Sequence, residues 1–147
     1  MKLAAVTDLN RAIQANQVEE VTRRLGREPG MRALGFESGA SRWEWHPSDE
    51  RCRNPFGFLY GGYLAVFVDT VLSSTIGTVL AEGELAMTAE FKLEFLRPVP
   101  FAPLRGSGHV RHKGSRVAFV EAQLESESGE LLVTASSTWT VLRTDPA

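Results

Sequence analysis

From Gly61 to about Ala81 the chain carries one long helical pattern that is apolar around most of its circumference: Leu64, Val66, Phe67, Val68, Val71, Leu72, Ile76, Val79 and Leu80. A surface helix shows one apolar stripe, whereas a helix apolar nearly all round has to be enclosed. The chain must therefore fold into something that wraps a helix. The residues that follow can supply the wrapper. The period changes from 3.6 to 2, with Met87, Ala89, Phe91, Leu93 and Phe95 alternating with Thr88, Glu90, Lys92 and Glu94. A Pro98–Pro103 stretch ends that strand. A Gly-rich strand from Leu104 to Arg111 follows, then a Gly114-Ser115 turn and a strand from Val117 to Leu124. After a Ser128-Gly129 turn, Leu131, Val133, Ala135, Ser137, Trp139 and Val141 alternate in the last strand. Two shorter strands precede the helix, Met31 to Phe36 and Ser41 to Trp45. They flank a Glu-Ser-Gly-Ala hairpin turn and place Trp43 and Trp45 on one face. This order predicts an antiparallel meander with segregated helices, an α+β fold in which a curved sheet encloses one long central helix. There are no repeated βα units, no GxGxxG after a strand and no GxxxxGK[ST], which argues against nucleotide-binding folds.

Ahead of this core, residues 8–25 read as an amphipathic helix with Leu9, Ile13, Val18, Val21 and Leu25 on one stripe and Asp8 as N-cap. Gly26, Pro29 and Gly30 end it. The expected organisation is an N-terminal helical arm over residues 1–30 and a single domain over 31–147, which suits a chain of 147 residues. A composition of 43% hydrophobic and 23% charged residues excludes disorder, and a net charge of −2 gives no sign of a nucleic-acid partner. Cys52 is the only cysteine, so no intrachain disulfide forms and a reducing, cytoplasmic setting is expected. His46, His109 and His112 match no zinc spacing, and no metal is expected. The longest apolar run, Tyr63 to Val68, is interrupted by Asp69 and then Ser73-Ser74, far short of a membrane span.

The segment from Asn54 to Ser73 carries the chemistry. Asp69 sits on an otherwise apolar helix, where a charge is costly unless paired or exposed at a cleft. Gly61-Gly62 stands where the helix begins. The first N–H groups of a helix lack intrahelical acceptors, glycine lets a ligand oxygen approach them, and the helix dipole adds positive potential there. Such an N–H can polarise a carbonyl as part of an oxyanion hole. Asp69 lies about two turns further on, roughly 12 Å in rise. One chain's Asp69 and Gly61 are then too far apart to serve one carbonyl, and a site using both needs two helices from two subunits.

The motif Asn54-x-x-Gly57-x-x-x-Gly61-Gly62, with Asp69 eighth after the first glycine of the pair, resembles that of the PaaI-like acyl-CoA thioesterases of the hotdog fold. The likeness covers about residues 31 to 142. It implies that two protomers join their sheets edge to edge, with two equivalent sites at the interface, and that dimers pair into tetramers. By position, Asn54 resembles the loop amide that holds water or carbonyl, and Gly61 the backbone donor to the thioester oxygen. Asp69 of the other subunit resembles the nucleophile or general base, while Ser73 and Thr88 resemble hydroxyls that position water. Tyr60, Gly62, Phe56 and Phe58 are the expected substrate contacts. Most relatives carry His where this chain has Tyr60, which donates a hydrogen bond without an imidazole's proton switch. The implied activity is hydrolysis of an acyl-CoA thioester to a carboxylic acid and CoA, with no metal or redox cofactor. Arg111, Lys113 and Arg116 cluster around the Gly-Ser turn, either as a solvated hairpin tip or as a surface for the phosphates of CoA. The Tyr60 replacement keeps open an alternative, a hotdog protein that binds acyl-CoA or a small hydrophobic ligand without catalysis. A hotdog dehydratase needs a His–acid pair, and no His stands near the helix start.

Overall fold

The computed structural model describes residues 3–144 and, for side chains, residues 5–144. Six antiparallel strands form one sheet: β1 (Met31–Glu37), β2 (Ala40–Trp45), β3 (Glu84–Phe95), β4 (Leu104–Lys113), β5 (Val117–Ser126) and β6 (Leu131–Arg143). Their order is β1-β2-β4-β5-β6-β3, so β1 and β3 are the edges. The long helix α3 (Gly61–Gly77) connects β2 to the far-edge strand β3, crossing the concave face of the sheet. This is the hotdog architecture, and it encloses the apolar helix as its pattern requires.

Glycines set how closely the helix meets the sheet. A Cβ at Gly108 would stand 2.0 Å from Thr75 Oγ1, and one at Gly106 would stand 2.8 Å from Val71 Cγ2. The Gly-rich character of β4 is therefore a packing requirement. Larger side chains fill the space on either side. Trp43 and Trp45 share one face of β2 and are fully buried with Phe67, Val68, Val71 and Leu72. The buried polar atoms of this core are satisfied: the Trp43 indole donates to Ser74 Oγ at 2.8 Å, and Ser41 Oγ bonds Thr75 Oγ1 at 2.6 Å.

The N-terminal region departs from the expected single helix over residues 8–25. Two helices form, α1 (Leu3–Gln14) and α2 (Val18–Leu25), and Asp8 lies inside α1 rather than capping it. Asn16 causes the break by taking a left-handed conformation, φ 55°, which Asn tolerates better than most residues. Its side chain then accepts the Phe36 N–H at 2.8 Å, tying the kink to β1. The bend lets both helices reach the core, where Ala12, Ile13 and Val21 are buried. The central helix also ends earlier than its apolar pattern, at Gly77 rather than near Ala81: the Thr78 and Val79 amides bond the Thr75 and Ile76 carbonyls in tighter turns, and Gln14 Nε2 donates to the carbonyls of Gly77 and Leu80. Thr78 is the C-cap, whereas the C-cap expected from the longer apolar pattern is Gly83. It takes φ +76° in the turn leading into β3.

The strand β3 also departs from simple alternation. Thr88 pairs with Trp139 and Glu90 with Thr138, leaving Ala89 outside the register as a bulge. The inward face of β6 carries Val133, Ala135, Ser137, Trp139 and Val141, all buried. Directly opposed residues share a face. The inward residues of β3 are therefore Ala86 and Thr88 before the bulge, and Phe91, Leu93 and Phe95 after it. Met87 is turned outward and is half exposed.

Candidate functional site

The N-terminus of α3 has no side-chain cap, because Tyr60 stands at the N-cap position without bonding back to the helix. The first amide to find a helical acceptor is that of Leu64, bonded to the Tyr60 carbonyl at 3.1 Å. The N–H groups of Gly61, Gly62 and Tyr63 have no acceptor among the described residues. Gly61 and Gly62 are exposed, and nothing lies within 4 Å of a Cβ placed at Gly62. Three unpaired amides at the positive end of a helix dipole make a site for a partial negative charge.

The preceding loop is held by Asn54. Its Oδ1 accepts the N–H of Phe56 at 2.9 Å and of Phe58 at 3.0 Å, and its own N–H donates to the Phe58 carbonyl at 2.7 Å. The amide oxygen of Asn54 is thereby committed to the turn, leaving Nδ2 as the group that can face a ligand. Gly57 at φ +88° completes the turn in a conformation that suits glycine. Asn54, Phe56, Phe58 and Gly61 line one open cleft of ≈ 690 Å³, together with Leu59, Leu64 and the Phe95–Val99 segment. Phe56 stands almost free at its rim, whereas Phe58 is half-buried. Tyr60 is 44% exposed, its ring 6.5 Å from that of Tyr63.

Asp69 lies on the remaining open stripe of α3, half-buried. Its Oδ1 is buried and has no hydrogen-bond partner. Burial holds its carboxyl above the usual aspartate range, since no donor or cation offsets the loss of solvation. Ser73 is one turn further on the same stripe and is also half-buried. Thr88 is on the inward face of β3, opposite Trp139, and is exposed. Asp69, Ser73 and Thr88 do not line the cleft that holds Asn54 and Gly61. Within one chain, then, the expected residues fall into two groups.

The basic cluster is a third group, distant from the cleft. Lys113 Nζ bonds the buried carboxylate of Glu84 at 2.5 Å, at the start of β3, and Phe95 ends that twelve-residue strand. The strand spans roughly 36 Å at a rise of about 3.3 Å per residue. Arg111 faces Glu121 at 3.4 Å, and the backbone carbonyl of Arg116 accepts the Val141 N–H at 2.8 Å. Lys113 thus ties the end of β4 to the start of β3, while Arg111 and Arg116 border the hairpin tip.

Reading the sequence did not single out Phe95, Leu96 and Arg97 as cleft residues. An unbroken period-2 pattern through Met87–Phe95 puts all five apolar residues on one face, and only pairing against β6 reveals the bulge that separates them. Among the described residues, no group of three or more His, Cys, Asp and Glu is placed to hold a metal ion. No described helix is long and apolar enough to cross a membrane.

The comparisons with known proteins agree with this architecture. The family model described as "Thioesterase superfamily" matches residues 56–133, which includes the Phe56–Ser73 stretch of the site. The 1,4-dihydroxy-2-naphthoyl-CoA hydrolase of Escherichia coli is 29% identical over 97 residues, covering 65% of this chain and 71% of that protein. The proofreading thioesterase EntH of Klebsiella pneumoniae is 30% identical over 83 residues, covering 56% and 61%. The structure of the E. coli PaaI protein from the phenylacetic acid degradation operon superimposes with a TM-score of 0.73 over 93% of this chain and 98% of that one. Its sequence identity is 16%, so the likeness is one of fold. With the enclosed helix, the uncapped glycine start and the family match over more than half its length, this chain belongs to the thioesterase superfamily and is a thioester hydrolase of the hotdog fold.

Proposed function

We propose that the protein hydrolyses acyl-CoA thioesters as a dimer whose two sites each combine Gly61 of one protomer with Asp69 of the other. The observation that carries this reading is the unpartnered, buried Asp69 Oδ1 on the same helix as three unpaired N-terminal amides. An uncompensated buried carboxylate is costly to a fold and is characteristic of a reacting group. The separation of roughly 12 Å along α3 keeps Asp69 away from its own Gly61. The open edge of β3, with its inward Phe91 and Phe95 partly exposed, offers a second copy both strand pairing and apolar cover.

In this reading the thioester carbonyl oxygen accepts the Gly61 N–H, which stabilises the negative charge that grows there as the carbon becomes tetrahedral. Nδ2 of Asn54 orients the carbonyl or the water. The partner's Asp69 carboxylate either attacks the carbonyl carbon, giving an acyl–aspartyl anhydride that water then opens, or removes a proton from the attacking water. CoA leaves as its thiolate and takes up a proton. Ser73, one turn along α3 from Asp69, and Thr88, on the inward face of β3, are the hydroxyls assigned to hold the water. Metal and redox cofactors have no part in the proposed steps. The relatives' names support a CoA thioester as substrate, since one is named as the hydrolase of a naphthoyl-CoA. We place the reaction in the cytoplasm, where CoA esters are found, and expect dimers to pair into tetramers.

The test is thiol release from a panel of short-, medium-chain and aromatic acyl-CoAs, for the wild type and Asp69→Ala. Turnover by the wild type that Asp69→Ala abolishes supports the proposal. Undiminished turnover by the variant refutes the mechanism. Tight stoichiometric binding by the wild type without hydrolysis would show a binding protein instead.

A further inference from the structure

We propose that Phe95 sets how much bulk a substrate can carry on the carbon next to its thioester carbonyl. The inference rests on the reading of Gly61 as the donor to that carbonyl. It follows from how the β3 bulge aims one ring. If Ala89 were in register, the even-numbered residues would continue on the inward face, and Glu90, Lys92 and Glu94 would point at the helix. With Ala89 displaced, Phe95 pairs with the buried Val133 and turns inward. Its ring then reaches the start of α3: Cζ and Cε2 lie 3.5 and 3.9 Å from the point where a Cβ on Gly61 would stand.

That contact fixes the ring relative to the reacting group. The Gly61 nitrogen is two bonds from the Cβ position, and a carbonyl oxygen bonded to it sits about 2.9 Å beyond. With Gly61 and Phe95 lining one cleft, the substituent on the carbonyl carbon is proposed to lie against the Phe95 ring. Phe95, lining the same cleft as Gly61, is 47% exposed within the single chain. Behind it the cleft is walled by Phe58, Leu64 and Val99, which selects an apolar acyl group. The substrate class is thus thioesters of apolar carboxylic acids, unbranched beside the carbonyl, with Phe95 as the wall that excludes branching. Phe95 touches no reacting atom in this scheme and determines specificity by volume.

The experiment compares butanoyl-CoA with 2,2-dimethylpropanoyl-CoA for the wild type, Phe95→Ala, Phe95→Leu and Phe95→Trp. Two readouts are taken: kcat/KM by thiol release, and Kd for the non-hydrolysable thioether analogues of both esters. The ratio of branched to straight preference rises at least about tenfold in Phe95→Ala, the scale expected for one or two methyl groups in an apolar site. It rises by a smaller factor in Phe95→Leu, which keeps an apolar filler against Gly61, and falls in Phe95→Trp. Opposite changes from smaller and larger residues separate a steric wall from a general loss of folding. Ratios within about twofold of the wild type in all three variants overturn the inference. A wild type that binds the thioethers but cleaves neither ester overturns the hydrolytic reading, and the Kd ratios still decide the role of Phe95.

Discussion

The two ends of α3 are built in opposite ways. At its C-terminal end, partners come from several elements. Gln14 of α1 donates to the carbonyl of Gly77, the last helical residue, and to that of Leu80 just beyond it; Thr78 Oγ1 bonds the Thr75 carbonyl and accepts the Gly39 N–H, and the Glu84 carboxylate takes the Ala81 N–H in the connection that follows. Lys113 and Arg143 then neutralise Glu84, and Asn10 donates to its backbone carbonyl. At the N-terminal end the amides of Gly61, Gly62 and Tyr63 have nothing to bond, and Tyr60 supplies no cap. A capping side chain is worth about 1 kcal/mol, which this end forgoes. The contrast shows where the fold anchors its helix and where it keeps polar groups available. Asp69 lies between the two ends and shares the character of the open one.

The largest effect is expected at Asp69. Asp69→Asn keeps the shape and removes the carboxylate, and turnover of the best acyl-CoA falls by roughly 10²–10⁴-fold in a steady-state assay. In the proposed mechanism, activity requires the ionised carboxylate. Its rate therefore declines on acidification at a pH above the ordinary aspartate value of 3.8, because burial raises the group; a pH profile of kcat/KM locates that limb.

The open end can be tested without harming the helix. Gly61 is the first helical residue, a position that suits proline because no intrahelical bond is lost there. Tyr60, at φ −63° and ψ 136°, already has the extended conformation required before proline. Gly61→Pro therefore deletes one amide donor and keeps the fold. The expected result is a loss of about 10²-fold in kcat with Tm preserved, read by thiol release and circular dichroism.

The closed end gives the converse. Glu84→Gln leaves Lys113 and Arg143 without their anion and lowers stability by about 3 kcal/mol in urea unfolding, while kcat per folded molecule is kept. Burial pushes the Glu84 carboxyl up, but the Lys113 ammonium and the Ala81 N–H outweigh it and hold the group below its ordinary value of 4.5. Its contribution is therefore present above 4.5 and is lost as pH falls through the lower folded value, so the gap between variant and wild type closes in acid.

The smallest effect is on stability at Asp69. A carboxyl raised by burial binds its proton more tightly in the folded state, so ionisation weakens the fold progressively as pH rises from 3.8 and fully above the raised value. Asp69→Asn consequently melts at a higher temperature than the wild type at neutral pH, and the gain disappears as pH falls to 3.8. A variant that loses activity and gains stability places Asp69 with the open end. A variant that loses both places it with the anchoring network.

Much of this was legible in the residues. The all-round apolar helix, the switch to period 2 and the Ser38–Gly39 hairpin are local patterns, and local patterns survive into the fold when packing agrees with them. The uncapped Gly61-Gly62 start and the lone Asp69 were visible for the same reason, since both violate a local rule of helices. The break at Asn16 was not, because a left-handed Asn becomes favourable only when a distant N–H, that of Phe36, needs its oxygen. The pairing of Lys113 with Glu84 was hidden too, since 29 residues and two strands separate them in the chain.

The sequence alone determined that a helix must be enclosed, that antiparallel strands enclose it, and that the helix opens on a glycine pair. Those properties depend on composition and spacing within short windows. Only the tertiary structure decided that β3 lies beside β6 rather than β4, and that it changes face midway. One residue displaced at Ala89 reverses the parity of every side chain after it, and strand parity depends on the partner, not on the strand. That reversal turns Phe95 toward Gly61 and makes a cleft at the open end of α3.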